Sequence, residues 1–257
     1  MPSTLSTSRP VVTDQQRKEM LLLIAAEKQR RQRNRIAEYF PDTGACRREL
    51  YPKHMQFFAA GGRHTPFPSC PEGCDGAPHR ERCFMAANRV GKTTAGAYEM
   101  SLHLTGNYPH WWIGKRFDHP VKAWACGQSN KTVREIIQGE LFGRNNSFGC
   151  GMVPGDLITH RTSKAGIAEA IDTVYVKHSS GGISSVQLKS YEEGAPSYYG
   201  SAIDFGWADE EPPTAIWTEL CVRIMTTDGQ CILSFTPLQG LSSVVLSFLP
   251  NGLPGTT

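Results

Sequence analysis

A short loop pattern at residues 83–94 limits the folds that this chain can adopt more than any other part of its sequence does. The apolar run at 83–87 has the length of a buried strand, and a helix-forming stretch follows from Lys92. The loop between them continues into that stretch, with the sequence Ala-Asn-Arg-Val-Gly-Lys-Thr-Thr at 87–94. A turn between a strand and a helix points several backbone N–H groups at one anion. The pattern therefore predicts an α/β fold that binds phosphate at this turn.

The residue types in the loop suit the phosphates of a nucleotide. Gly91 lacks a Cβ, so the backbone can approach a phosphate closely. Lys92 can reach the β- and γ-phosphates, and the Thr93 hydroxyl can ligate Mg²⁺. Ala86 stands where the common pattern has its first glycine. We predict that ATP is bound through residues 86–94, with these nucleotide-binding residues: Ala87, Asn88, Arg89, Val90, Gly91, Lys92, Thr93 and Thr94.

A second motif consists of an apolar-leaning run at 202–209 that ends in Asp209, Glu210 and Glu211. Acids at the carboxyl end of a strand lie beside the phosphate loop in a doubly wound sheet. We predict that Asp209 holds Mg²⁺, directly or through water, and that Glu210 orients and activates the attacking water. Glu211 is the second candidate base. Alone, such a cluster is usually a solvated turn, but together with Lys92 it predicts a nucleotide site.

A third motif is the run at 231–236, which has the pattern of a strand and ends in small hydroxyl residues. Ser234 or Thr236 could sense the γ-phosphate through a hydrogen bond. The alternative is a core strand that stops at Pro237 and has no contact with nucleotide.

Short apolar runs alternate with helix-forming stretches along the chain, which predicts a mostly parallel sheet with helices on both faces. The predicted strands are 83–87, 121–127, 173–177, 185–188, 202–209 and 231–236. The predicted helices are 14–40, 92–104, 132–142 and 213–226. We predict a disordered arm at 1–13, an N-terminal helical segment at 14–49, an ATPase domain at 50–245 with an irregular insertion at 61–80, and a linker or chain end at 246–257.

Composition and charge say little about partners. No apolar stretch is long enough to span a membrane, and the N-terminus lacks a signal-peptide pattern, so we expect a cytosolic protein. A net charge of +3 is too small to indicate nucleic-acid binding by itself. Residues 17–35 are nevertheless rich in Lys and Arg. This segment is either a phosphate-binding helix or a solvated helix face.

Three of the eight cysteines cluster in the insertion, with two histidines close by. Cys70, Cys74 and Cys83, together with His64 and His79, contain enough thiolate and imidazole ligands for a tetrahedral zinc site. The set we predict is Cys70, Cys74, His79 and Cys83. The alternative for Cys83 is a buried apolar position in the strand that leads to the phosphate loop.

Taken together, these motifs resemble the large terminase subunit of tailed bacteriophages, the motor that packages DNA into empty proheads. The segments that carry the resemblance are 51–56, 87–94, 191–194, 200–212 and 233–238. The order of Asp209 and Glu210 also resembles that of the ASCE-type branch of P-loop NTPases, in which the catalytic glutamate directly follows the Walker B aspartate. The resemblance covers most of residues 50–240.

The resemblance implies further roles for residues of this chain. Gln56, with Tyr51 nearby, is similar to the adenine-contacting element of the family. Arg89 is similar to the arginine that the family carries in its phosphate loop. Ser234 and Thr236 are similar to the coupling motif that links hydrolysis to domain movement. The implied partners are double-stranded DNA, further copies of the chain in a ring, a portal and a small terminase subunit. The implied location is the host cytoplasm and not the mature virion.

Two departures from the family pattern stand out. Large terminases usually continue into a nuclease domain, whereas this chain ends shortly after Thr236, so we expect no nuclease domain and no DNA cleavage from it. Many such motors also place an arginine upstream of Walker B to act on a neighbour's ATP. No arginine occurs between Arg161 and Arg223, which leaves Arg134 and Arg161 as the candidates.

Two other function classes fit the same motifs. One is a helicase-like ATPase, although no second RecA-like half is present in the sequence. The other is a nucleotide-binding scaffold module with weak hydrolysis. A small-molecule kinase fits less well, because a glutamate directly after the Walker B aspartate suits water activation.

Overall fold

The structure is a computed structural model. It describes residues 13–68, 70–237, 240 and 242–249, and all of their side chains except those at 28–33 and 145. Most of the predicted disordered arm (1–12), the end of the predicted linker (250–257) and four basic side chains of the 17–35 segment therefore lie outside the described residues.

Seven strands form a single mixed sheet, and its central part is parallel. Its strands are β1 (Glu81–Met85), β2 (Lys122–Gly127), β3 (Ile158–Ser163), β4 (Ile171–Lys177), β5 (Ile183–Ser190), β6 (Phe205–Asp209) and β7 (Gln230–Phe235). The spatial order is β1-β7-β6-β2-β5-β4-β3. The pairs β1–β7, β7–β6, β6–β2 and β2–β5 are parallel, and the pairs β5–β4 and β4–β3 are antiparallel. The chain therefore has the predicted α/β fold with a mostly parallel sheet.

Helices connect the strands. The α-helices are α1 (Asp14–Arg33), α2 (Pro52–Ala59), α3 (Lys92–Thr105), α4 (Asn130–Thr132), α5 (Gln138–Phe142), α6 (Thr214–Arg223) and α7 (Ser243–Ser247). A π-helical turn (Val133–Ile137) joins α4 to α5. Short 3₁₀ turns lie at Arg35–Glu38, Arg48–Leu50, Asn145–Ser147, Gly155–Leu157, Tyr191–Glu193 and Ala195–Tyr198. None of the helices in the described part of the chain is long and apolar enough to cross a membrane.

The predicted elements agree with the structure where the sequence is apolar. All six predicted strands are present, with shifted ends, and the predicted helix at 92–104 is α3. The predicted helix at 14–40 is too long, because α1 ends at Arg33 and a 3₁₀ turn follows. The prediction missed β3, an edge strand whose residues are mostly exposed and polar. It also missed the helices α2 and α7.

Both faces of the central strands are buried, which explains their nearly continuous apolar sequences. In β6, Phe205 and Trp207 contribute to the core on one face of the sheet. Ala208 contributes to the separate core on the other face, together with Leu220 of α6. This arrangement fixes β6 firmly between two layers of helix and loop.

Helix α3 lies very close to β6, at a glycine. A Cβ on Gly96 would come within 2.3 Å of Cε2 and Nε1 of Trp207. The Trp207 ring is fully buried, and its Nε1 donates a hydrogen bond to Ser234 Oγ at 2.9 Å. The ring is therefore held where a side chain at position 96 would have to go.

We predict that Gly96→Ala lowers the free energy of unfolding by about 1–3 kcal/mol, because it overpacks this contact. The matched control is Gly139→Ala in α5, where no atom lies within 4 Å of an added Cβ. There we expect a gain of about 0.5–1 kcal/mol from the lower entropy of the unfolded chain. Urea unfolding of both variants measures the difference. Equal stability of the two variants would contradict the close approach of α3 to Trp207.

Candidate functional site

The predicted phosphate loop lies between β1 and α3, and its backbone is turned by two residues with positive φ. Arg89 has φ 64° and Gly91 has φ 87°. Gly91 is the N-cap residue of α3, so the first N–H groups of that helix open towards the loop. A Cβ on Gly91 would lie 3.2 Å from His54 Nε2, which places α2 directly against the loop. The geometry is that of an anion site at a helix N-terminus.

Lys92 connects the loop to the end of β7. Its Nζ donates hydrogen bonds to Ala87 O and to Thr236 Oγ1, both at 2.8 Å. The Thr236 hydroxyl in turn donates to Asn88 Oδ1 at 2.8 Å. The third motif therefore contacts the phosphate loop directly, at the end of a fully buried core strand.

Asp209 lies at the end of β6 and faces the first residues of α3. Its carboxylate accepts hydrogen bonds from Ser234 Oγ at 2.7 Å and from Thr93 Oγ1 at 3.1 and 3.2 Å. Burial raises the pKa of Asp209 to about 7, although the Ser234 and Thr93 hydroxyls act in the opposite direction. A buried carboxylate beside a threonine hydroxyl is an oxygen donor pair that suits a hard divalent cation.

Ser234 connects this carboxylate to the core. Its hydroxyl accepts from Trp207 Nε1 and donates to Asp209 Oδ1. The indole N–H can only donate, which fixes the direction of the first hydrogen bond, and an ionised Asp209 carboxylate can only accept, which fixes the second. These two hydrogen bonds orient the Asp209 carboxylate together with the contact from Thr93.

Glu210 follows β6 in a left-handed conformation, with φ 65°. Its backbone N–H donates to Ser234 O at 2.8 Å, and its carbonyl accepts from Tyr191 OH at 2.9 Å. Its Oε2 accepts from the backbone N–H of Thr236 at 3.4 Å. A positive φ is uncommon for a residue with a side chain and is found preferentially at functional sites. Glu210 is therefore held on both sides at the end of the sheet that carries the phosphate loop.

The residues predicted to contact adenine lie in α2 and at its start. Tyr51 is the N-cap residue of α2, and its ring packs edge-on against Phe40 and His54. Gln56 Oε1 is buried and has no hydrogen-bond partner among the described residues. An unpaired buried acceptor costs free energy unless a ligand or water supplies a donor.

Two contacts of the site were not predicted. His54 lies against Gly91, and burial lowers its pKa, so the ring is neutral near pH 7. Tyr191 OH donates to the carbonyls of Asp209 and Glu210. Both residues stand in segments that carried the family resemblance, at 51–56 and 191–194, but nothing in the sequence alone indicated what they touch.

The two candidate arginines lie near β3 and β4, at the antiparallel edge of the sheet. Arg134 donates to Ala168 O at 3.2 Å, and the Arg161 guanidinium lies 4.0 Å from the centre of the Phe148 ring. Arg89 in the phosphate loop is exposed.

The predicted zinc ligand set is wrong at one position. Four side chains come together in the insertion, and they are His64, Cys70, Cys74 and His79. Cys83 lies within β1 and is not part of this group, and burial raises its pKa to about 12. Cys83 is close to the other ligands in sequence, but β1 directs it into the packing of the sheet, and His64 takes its place.

Comparisons with known proteins point to one family. Residues 83–252 match the family described as "Terminase large subunit, T4likevirus-type, N-terminal". The chain is 38% identical over 196 residues to "Terminase, large subunit" of Salmonella phage P22, an alignment that covers 68% of this chain and 39% of that protein. The chain thus spans about two fifths of the length of this relative.

Among solved structures, the chain is similar to the large terminase from a thermophilic bacteriophage. One crystal form of that protein matches with a TM-score of 0.43 and 8% identity over 70% of this chain and 38% of that chain. The complex of the same protein with ADP matches with a TM-score of 0.41 and 12% identity over 71% of this chain and 38% of that chain.

Proposed function

The chain belongs to the family of large terminase subunits and corresponds to their N-terminal region, and from this premise we propose that it is the ATPase motor domain of a DNA-packaging terminase. In this role it hydrolyses ATP and couples hydrolysis to translocation of double-stranded DNA into a prohead. The observation that carries the proposal is the convergence of two separate segments on Lys92 and Thr93: Thr236 binds Lys92, and Asp209 binds Thr93.

ATP would bind with its phosphates at the start of α3. The Lys92 ammonium now contacts Ala87 O and Thr236 Oγ1, and a β- or γ-phosphate would replace one of these acceptors. The loop backbone and Arg89 would bind the remaining phosphate oxygens. Gln56 and Tyr51 would contact adenine, whose exocyclic amine is a suitable donor for the buried Gln56 Oε1.

Thr93 and Asp209 fit a magnesium ion, because both present oxygen atoms and lie within 3.2 Å of each other. When bound, Mg²⁺ would neutralise the charge of the phosphates. Glu210 would orient the attacking water and accept its proton. The hydrogen bonds that hold Glu210 in its left-handed turn would keep its carboxylate in place for this step.

Thr236 would respond to the presence or absence of the γ-phosphate. Its hydroxyl contacts Lys92 and Asn88, and its backbone N–H contacts Glu210, so one residue of the β7 end touches both the phosphate loop and the proposed base. A change at the γ-phosphate would therefore alter the end of β7. Ser234 is the neighbouring element of the same coupling device, through Asp209.

The remaining parts of the proposal follow from the family. The basic segment at 17–35 would contact DNA phosphates. The working assembly would be a ring of copies on a portal, with a small terminase subunit as a partner, in the host cytoplasm. The competing function is a nucleotide-binding scaffold module, and the response to DNA separates the two.

The test is steady-state ATP turnover with Mg²⁺, measured with and without linear duplex DNA at several salt concentrations. We expect DNA to stimulate turnover at low salt. This stimulation should fall steeply as salt rises, because DNA contacts made by Lys and Arg release counterions. The control omits Mg²⁺ and should abolish turnover. Turnover that DNA does not alter at any salt concentration would favour the scaffold function over the motor.

A further inference from the structure

The segment between α2 and β1 gathers four side chains that the proposed ATPase does not use. They are His64, Cys70, Cys74 and His79, and one ligand atom from each lies within 4.8 Å of every other. We propose that these residues bind a structural Zn²⁺ ion with two thiolates and two imidazoles. The proposal is independent of the nucleotide site.

The distances between the ligand atoms fit tetrahedral zinc. His64 Nε2 lies 3.4 Å from Cys70 Sγ and 3.6 Å from Cys74 Sγ, and His79 Nε2 lies 3.7 Å from Cys74 Sγ. With zinc–sulfur and zinc–nitrogen bonds of about 2.3 and 2.0–2.1 Å, a tetrahedral site has sulfur–nitrogen edges of about 3.6 Å. The three measured edges are close to this value, so an ion at their centre would need little movement of the side chains.

The tautomer of His64 leaves its Nε2 available to a metal ion. Gly62 O lies 3.0 Å from His64 Nδ1, and a carbonyl oxygen can only accept, so Nδ1 of a neutral ring carries the proton. Nε2 then has a lone pair, and the Sγ atoms of Cys70 and Cys74 both lie within 3.6 Å of it. Thiol hydrogen bonds to the two imidazoles join these atoms only in pairs, whereas one metal ion contacts all four. The Gly62 contact is also the orienting bond that metal-binding histidines usually make.

The backbone is arranged to receive thiolates. The N–H of Phe67 donates to Cys70 Sγ at 3.5 Å, and the N–H of Gly76 donates to Cys74 Sγ at 3.4 Å. Such donors stabilise negative charge on sulfur, and the thiolate is the form that binds metal. Both sulfurs belong to free thiols.

The turn that carries the second of these donors, the N–H of Gly76, requires glycine. Gly76 has φ 79°, and a Cβ there would lie 2.1 Å from His64 O. The N–H of His64 donates to Gly76 O at 2.9 Å, which joins the two ends of the cluster. The backbone therefore places Cys74 beside His64 whether or not the side chains bind an ion.

The position of the cluster explains what an ion would stabilise. Within residues 61–80 the described part of the chain contains no helix or strand, and three of the four ligand residues are only half-buried. The N–H of His79 donates to Ala60 O, so the segment closes on the end of α2 just before β1 begins. A metal ion provides the cross-link that a small apolar core cannot, and it would fix α2 and β1 on either side of the phosphate loop.

The test measures zinc in the full 257-residue chain, purified without chelator. Elemental analysis should find about one zinc per chain, and X-ray absorption at the zinc edge should find two sulfur and two nitrogen neighbours. These measurements on the unaltered protein need no variant to fold. Less than ~0.2 zinc per chain, with no uptake from added Zn²⁺, would overturn the proposal, and so would three sulfur neighbours.

A pair of variants distinguishes the ligand set from the one that sequence spacing predicts. His64→Gln should lower the zinc content at least about fivefold, whereas Cys83→Ser should retain it, because Cys83 lies outside the cluster. Full zinc content in His64→Gln, or loss of zinc only in Cys83→Ser, would overturn the assignment of His64.

Discussion

Replacing Glu210 by Gln should lower steady-state ATP turnover by about 10²- to 10⁴-fold and leave ATP binding nearly unchanged. The substitution keeps the size of the side chain and its acceptor oxygen but removes the carboxylate that would take a proton from water. It also leaves the backbone contacts of residue 210 with Ser234 and Tyr191 in place. The loss of turnover in Glu210→Gln therefore measures an effect on the chemical step and not a change in the structure of the site.

The matched control is Glu211→Gln, the next carboxylate along the chain. Glu210 Oε2 accepts from the N–H of Thr236, and the Thr236 side chain contacts Lys92. These contacts support the proposed role of Glu210 as the base. We expect Glu211→Gln to reduce turnover by less than about tenfold, through charge alone. The measurement is turnover of both variants beside equilibrium binding of a labelled nucleotide.

The possible results for Glu210→Gln and Glu211→Gln lead to different conclusions. Equal turnover in Glu210→Gln and the unaltered chain would remove Glu210 from the mechanism. A large loss only in Glu211→Gln would transfer the role of base to Glu211. Loss of nucleotide binding in Glu210→Gln would mean that the residue supports the phosphate loop and does not activate water.

The sequence predicted the central sheet because burial on both faces leaves a simple pattern. Strands β2, β6 and β7 are nearly continuous apolar runs, and the polar residues that end β6 and β7 lie side by side because these strands are parallel neighbours. That placement brings Asp209 level with Ser234. The contact between the acidic motif and the third motif thus follows from strand order.

Other features depend on contacts between distant segments, which a local pattern does not encode. Strand β3 is polar and mostly exposed, and it exists because it pairs with β4. His64 replaces Cys83 in the cluster of cysteine and histidine side chains because the backbone folds back at Gly76, whereas β1 carries Cys83 away. In both cases tertiary pairing decides the outcome, and sequence spacing suggests a different one.

Removing a buried ion pair behind the phosphate loop should cause the second large effect, which is on the stability of the fold. Arg82 in β1 donates to both carboxylate oxygens of Glu99 in α3, at 2.6 and 3.1 Å, and the two side chains are 3% and 0% exposed. Arg82 also donates to Phe57 O of α2 and to Gln230 Oε1 of β7. One guanidinium therefore joins the strand before the loop to the helix after it.

We predict that Arg82→Met lowers the free energy of unfolding by about 3–5 kcal/mol, because it leaves Glu99 buried without a counter-charge. The control is Asp228→Asn, which removes exposed contacts with Lys115 and Arg80 and should cost less than about 1 kcal/mol. Arg82→Met with Glu99→Met should be more stable than Arg82→Met alone, since no unpaired charge remains. Denaturant unfolding measures all of these variants, and similar costs for Arg82→Met and Asp228→Asn would contradict the prediction.

The pH dependence of the same variant tests the cause. Burial opposes charge on Glu99, but the Arg82 charge and hydrogen bonds from Arg82 and His103 hold the pKa of Glu99 below its ordinary value. Its contribution to stability is therefore present above the unfolded pKa and is lost as pH falls through the folded pKa. In Arg82→Met, only the hydrogen bond from His103 still opposes the effect of burial on Glu99, so the pKa of Glu99 rises and this variant loses stability as pH rises. The stability difference between the two proteins should shrink towards acid pH, and a difference that is constant with pH would mean that lost packing, and not the unpaired charge, causes the effect.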